Sequence, residues 1–174
     1  MYGQGNVSEL ASEGVVDAVL LTSRVLVAVA ARSLADIGEE VTLTQYRTLV
    51  VLASRGPQSL AGLAEALGVK PATATRMCDR LVKKSLIRRR SLPDNRRVLR
   101  VTLTSKGHQL VATVTDRRRQ EIERIMREIP AAEQIVVVRT LSRFTSATGE
   151  LPEQDWTTGW ALQMNGSLVS SGAP

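Results

Sequence analysis

Five arginines, Arg88, Arg89, Arg90, Arg96 and Arg97, fall within ten residues, divided by the turn-forming run Pro93-Asp94-Asn95. Guanidinium groups crowded like this repel one another unless an anion is expected, and each presents a planar fork of donors suited to phosphate or carboxylate. The window from Lys70 to Lys106 holds twelve Lys and Arg against two acids, Asp79 and Asp94. It therefore carries +10 of a chain whose net charge is +6, and the remainder is −4. A run of charge is usually a solvated surface. One this lopsided is better explained by a polyanion partner.

Other chemistry is thin. His108 is the only histidine, and Ser105 sits three residues before it on the same helix turn, with no second base or orienting acid near in sequence. That is no triad. Metal sites want clusters of His, Cys or carboxylates, and none is spaced for one. The glycines are scattered at element ends instead of forming a phosphate loop. No catalytic residue, metal ligand or cofactor is assigned, and the chain does not read as an enzyme. The single cysteine, Cys78, rules out an intramolecular disulfide. With no such disulfide a cytoplasmic protein is the simplest reading, and MYGQGNVSEL does not show the pattern of a signal peptide. The apolar stretch Val15–Ile37 is interrupted by Asp17, Arg24, Arg32 and Asp36, which argues against a membrane span.

The elements that must position these arginines follow from periodicity. With 43% hydrophobic but 3% aromatic residues, the core must be aliphatic, which favours packed helices. Val15, Val16, Val19, Leu20, Ser23, Leu26, Ala30, Leu34 and Ile37 recur at helical steps and predict a helix over 14–37, ended by Gly38. Thr44 reads as the N-cap of a second helix, 45–54, with Tyr46, Leu49, Val50 and Ala53 inward. Gly56-Pro57 breaks it. Ser59 caps a short third helix with Leu60, Leu63, Ala64 and Leu67 inward, and Gly68 stands where a C′ glycine belongs. Pro71 opens a fourth helix that runs to about Lys84. Its inward residues are Ala74, Met77, Cys78 and Leu81; its outward face is Thr73, Arg76, Asp79 and Arg80, with Lys83 and Lys84 near the end.

Two helices joined by so short a turn form a helix-turn-helix. Two strands follow, 86–91 and 98–103, the second with Leu99, Val101 and Leu103 on one face. Arg88 and Arg90 should share a face and Arg89 take the other. A hairpin directly after a helix-turn-helix is a wing, and the arginines at its tip would reach phosphates or a narrow minor groove. Thr104 caps a long helix to about Ile129, in which TDRRRQE has no clear inward face and reads as an exposed bridge between two packed bodies. After Pro130 a last helix, 131–147, carries Ile135, Val138, Leu141 and Phe144. The tail beyond Gly149 is either disordered or docked through Trp156 and Trp160.

This order of elements, with the phrases LTQYRTLVVLASRGPQSLAGLAEALGVKPATATRMCDRLVKKSLIRRR and PDNRRVLRVTLTSKG, resembles the MarR family of bacterial transcriptional regulators over roughly residues 14–148. Its most specific parts are Asp94-x-Arg96 and Leu103-Thr104-x-x-Gly107. The fold implied is all-α with a small β-hairpin wing: an N-terminal dimerisation helix (1–40), a winged helix-turn-helix (41–104), a connecting and a dimerisation helix (105–148) and an extension (149–174).

The resemblance further implies a homodimer on a palindromic double-stranded operator, and a repressor released by a small ligand. It places the helix from Pro71 in the major groove, with Lys70, Ala72, Thr73, Thr75 and Arg76 nearest the DNA. Arg80 lies further along the same face, and Arg88 and Arg90 lie on the wing. Arg96 would sit in the minor groove, oriented by Asp94, with Arg97 as a phosphate or groove contact. Lys70 stands where the family commonly has a capping Ser. The thiol-sensing cysteine of one branch is missing, and Cys78 reads as core. A ligand crevice is implied between the dimer region and the winged helix. Leu26, Ala30, Tyr46, Arg47, Val111 and Arg118 are its candidate liners, and a phenolic or carboxylate effector is its candidate occupant. Other readings of the same residues are a winged-helix module that binds an acidic protein and a non-specific architectural DNA-binding protein.

Overall fold

The computed structural model describes residues 4–35, 37, 41–91, 99–148, 150 and 156. Six helices and one hairpin follow in order: α1 (Gln4–Ala35), α2 (Leu43–Arg55), α3 (Leu60–Ala66), α4 (Pro71–Lys83), β1 (Ile87–Ser91), β2 (Leu99–Leu103), α5 (Ser105–Met126) and α6 (Ala131–Ser146).

Helix α1 begins ten residues before the expected start at Gly14. The segment before Gly14 has no apolar repeat to announce a helix, but it has no proline to stop one either, and extending an existing helix costs far less than nucleating it. Helix α2 is capped by Thr42, not by Thr44. The Thr42 hydroxyl accepts the Gln45 N–H at 3.2 Å, and the Gln45 side chain accepts the Thr42 N–H at 3.1 Å. That reciprocal box needs a three-residue spacing, which only Thr42 has with Gln45. The Thr44 carbonyl instead accepts from the Thr48 hydroxyl at 3.1 Å, inside the first turns.

The helix-turn-helix forms as expected. Ser59 caps α3 by accepting the Gly62 N–H at 3.0 Å, and Gly68, at φ 63, turns the chain towards α4. Lys70 occupies the N-cap of α4 without any side-chain capping bond, and Pro71 follows at the first helical position. The wing strands pair antiparallel in the register Ile87↔Leu103, Arg88↔Thr102, Arg89↔Val101, Arg90↔Arg100 and Ser91↔Leu99. Gln58, between α2 and α3, exchanges both backbone hydrogen bonds with Val101, at 3.1 and 2.7 Å, and so anchors the hairpin to the helices.

One aliphatic core joins α2, α3, α4, the hairpin and the first half of α5, with Leu49, Leu63, Leu81, Leu86 and Val114 fully buried. Val101 and Leu103 join it, whereas Leu99 lies beyond its edge and is exposed. The TDRRRQE stretch is not the exposed bridge its polarity suggested. Arg117 and Arg118 are half-buried, the Thr115 hydroxyl lies 3.4 Å from the Tyr46 hydroxyl, and Arg32 of α1 pairs with Glu121. Long arginine stems cover apolar surface that a charge count does not reveal.

Among the described residues, α1 joins the core through its last turns, at Val29, Ser33 and Leu34. Upstream, Val15, Val16, Val19, Leu20, Leu21 and Val25 are exposed. Helix α6 has no buried residue at all; Ile135 and Val138 are each 65% exposed. Among the described residues, Glu13–Ala35 is long and apolar enough to cross a membrane. Asp17, Arg24 and Arg32 therefore do not disqualify it as the sequence suggested. Its last turns nevertheless belong to the winged-helix core, and a second apolar stripe on α6 accompanies it.

Candidate nucleic-acid interface

The amphipathic pattern of α4 sets the interface. Ala74, Met77, Cys78 and Leu81 are buried in the core, as their spacing predicted. The opposite side is thereby turned outward: Lys70, Ala72, Arg76, Arg80 and Lys83 are exposed, and Thr73 and Thr75 are half-buried. The Thr75 hydroxyl donates back to the Pro71 carbonyl at 3.0 Å, which leaves its lone pairs facing out. Burial raises the pKa of the Cys78 thiol, with Arg89 opposing, so the thiol stays protonated and unreactive at neutral pH.

Strand alternation sorts the arginines as expected. Arg89 faces α4, where it donates to the Asp79 carboxylate at 2.6 Å. Asp79, half-exposed on the outward side of α4, is thus a tie between the recognition helix and the wing. Arg88 and Arg90 lie on the opposite face of the hairpin, and Arg88 donates to the Thr102 hydroxyl at 3.3 Å. Arg100, placed on the outer face of its strand by the sequence but not assigned as a DNA contact, stands directly across the ladder from Arg90. Like charges opposed in this way destabilise a hairpin unless an anion lies between them. Burial, and then the charge of Arg90, lowers the pKa of Arg88. The register was the missing signal, since a strand break cannot be placed to one residue from composition. Asp94, Arg96 and Arg97, the expected wing tip, lie outside the described residues.

The joint between α4 and α5 holds this surface on its scaffold. Ser85, at φ 59, turns the chain out of α4. The Thr104 hydroxyl donates to the Ser85 carbonyl at 2.6 Å and accepts the Gly107 N–H at 3.1 Å. Gly107 is pressed so closely on the Leu86 carbonyl that a Cβ there would lie 2.1 Å from its oxygen. The Leu103-Thr104-x-x-Gly107 motif is thus a weld between the wing and the long helix. His108, one residue on, is half-buried; burial and then the Arg88 charge lower its pKa, so it is neutral at pH 7.

Four of the six candidate ligand liners, Ala30, Tyr46, Arg47 and Arg118, surround a cavity of about 390 Å³ bounded by α1, α2 and α5. Leu26 is instead exposed on α1, and Val111 is buried in the core. Leu43, Val50 and Glu150, which the sequence reading missed, complete the wall together with Trp156, one of the two tryptophans through which docking was expected. Glu150 pairs with Arg47, and Trp156 packs against the core, so these two residues of the extension are docked; Trp160 lies outside the described residues. The Arg47 hydrogen bond, opposed by burial and reinforced by the charges of Arg47 and Arg55, holds the Glu150 carboxyl below the usual carboxylate range. The pair thus favours the folded state above the ordinary Glu value, and that contribution is lost as pH falls through the lowered one. Among the described residues no cluster of metal-ligating side chains occurs.

Residues 41–99 match the MarR family. The solved structure of Rv1404 from Mycobacterium tuberculosis is similar to this chain at 45% identity, with a TM-score of 0.75, covering 81% of this chain and 96% of that one. Among curated relatives, the uncharacterised HTH-type transcriptional regulator YhbI of Bacillus subtilis is 38% identical over 72 residues, 41% of this chain and 47% of that protein. The HTH-type transcriptional repressor NicR of Pseudomonas putida is 31% identical over 104 residues, 60% of this chain and 66% of that protein. This chain thus spans about two fifths to two thirds of the length of the curated relatives it matches. The matched residues run from the cap of α2 to the start of β2, the very elements that carry the basic face, and the chain belongs to the MarR family.

Proposed function

We propose that this chain is a cytoplasmic, homodimeric, sequence-specific DNA-binding transcription regulator, and that it represses until a small ligand releases it. One observation carries the reading: α4 buries Ala74, Met77, Cys78 and Leu81 and leaves Arg76, Arg80 and Lys83 exposed on the far side. A helix of this kind, set second in a helix-turn-helix, lays its N-terminal residues along base edges in the major groove. Thr73 and Arg76 read bases; Lys70, Arg80 and the wing arginines hold phosphates. The apolar stripes of α1 and α6 support a two-fold dimer, which brings two such helices to successive major grooves of a palindromic operator. A ligand in the cavity against α2 and α5 acts by its differential affinity for two spacings of those helices.

Selection of bound sequences from random duplexes tests the readout. The wild type is expected to return an imperfect palindrome. Arg76→Ala is expected to lose preference at one base pair in each half-site, at a cost of about 1–3 kcal/mol if the contact is bidentate. Thr73→Ala is expected to relax a neighbouring position. Unchanged preference in both variants would move base readout away from α4. A wild type without any preference would instead make the protein an architectural binder.

A further inference from the structure

The chain beyond α6 reaches the cavity at two points. Glu150 receives both arms of the Arg47 fork: Nη1 donates to Oε1 at 2.7 Å and Nη2 to Oε2 at 2.5 Å. Trp156 lines the same cavity and is half-buried against the core. A carboxylate gripped by a guanidinium, with an aromatic ring lining the same cavity, presents the chemistry of an aryl carboxylate in a binding site. A second guanidinium, Arg118, also lines the cavity, and its Nε is shielded from solvent without a hydrogen-bond partner. A buried donor left unmet is costly, and an incoming anion would meet it.

We propose that Glu150 is a built-in competitor for an anion site at Arg47, so that a small aromatic carboxylate enters this cavity only by displacing it. The consequence for DNA rests on the regulator reading above; the competition itself does not. A ligand that must first break the Arg47–Glu150 pair binds with an affinity reduced by the fraction of molecules in which the pair is open. A neutral amide offers Arg47 only one uncharged acceptor, too weak to displace a bidentate carboxylate. Its affinity is therefore independent of Glu150.

The two tryptophans of the chain are Trp156 and Trp160, so Trp160→Phe leaves Trp156 as the sole indole reporter. In that full-length background, benzoate and benzamide are titrated while Trp156 emission is followed. Benzoate is expected to shift the emission saturably. Glu150→Gln is expected to tighten benzoate at least fivefold and to leave benzamide unchanged, and Arg47→Gln to abolish the preference for benzoate. The proposal is overturned if Glu150→Gln leaves benzoate affinity unchanged or weaker, if benzoate and benzamide bind alike, or if neither binds. Operator binding by the same proteins is read separately. A wild type that ignores every duplex defeats the regulator reading and leaves the benzoate comparison to stand or fall on its own.

Discussion

Leu141→Glu is expected to convert the protein to a monomer that keeps its winged-helix fold and loses at least 100-fold in operator affinity. Leu141 is 51% exposed in the single chain, on a helix with no buried residue, so the substitution removes nothing from the core. In a dimer built on α1 and α6 it buries an unpaired carboxylate twice, once per copy. At about 2–3 kcal/mol for each, the dimer constant weakens by roughly 10³-fold or more. DNA affinity falls because a second recognition helix held on the same duplex binds at high effective concentration, and a monomer forfeits that. Sedimentation equilibrium and thermal unfolding check the two halves. A variant that stays dimeric would place the interface elsewhere.

Gly107→Ala is expected to destabilise the fold by about 3 kcal/mol, the upper range for overpacking, and to lower the melting temperature by roughly 6–12 °C. The obstacle is a backbone carbonyl, that of Leu86, which cannot rotate away as a side chain could. The sign of the effect makes this decisive. In an open helix, glycine to alanine stabilises by up to about 1 kcal/mol. A gain in melting temperature would show that α5 and the wing are not welded at this point.

Much of the winged helix was legible because each local signal has one cause. Gly68 was readable since the αL position after α3 admits little else, and Ala74, Met77, Cys78 and Leu81 since only an inward helical face spaces apolar residues so. Where two residues could do one job, the sequence was ambiguous. Thr42 and Thr44 both precede α2, and only the box with Gln45 separates them. Contacts made at long range were invisible. The tie between Asp79 and Arg89 and the pairing of Arg100 with Arg90 both depend on how the wing folds back on α4 and on its register. Glu150 and Trp156 sat in a tail with no periodicity, and nothing local tells a docked segment from a loose one.

Fluorescence anisotropy of the full-length protein on a selected operator duplex, titrated at several salt concentrations, tests the DNA-binding claim most directly. The expected result is two chains per duplex. If about eight phosphates are neutralised, log K should fall with log salt at a slope near −7. One chain per duplex, or an affinity indifferent to salt, would contradict it.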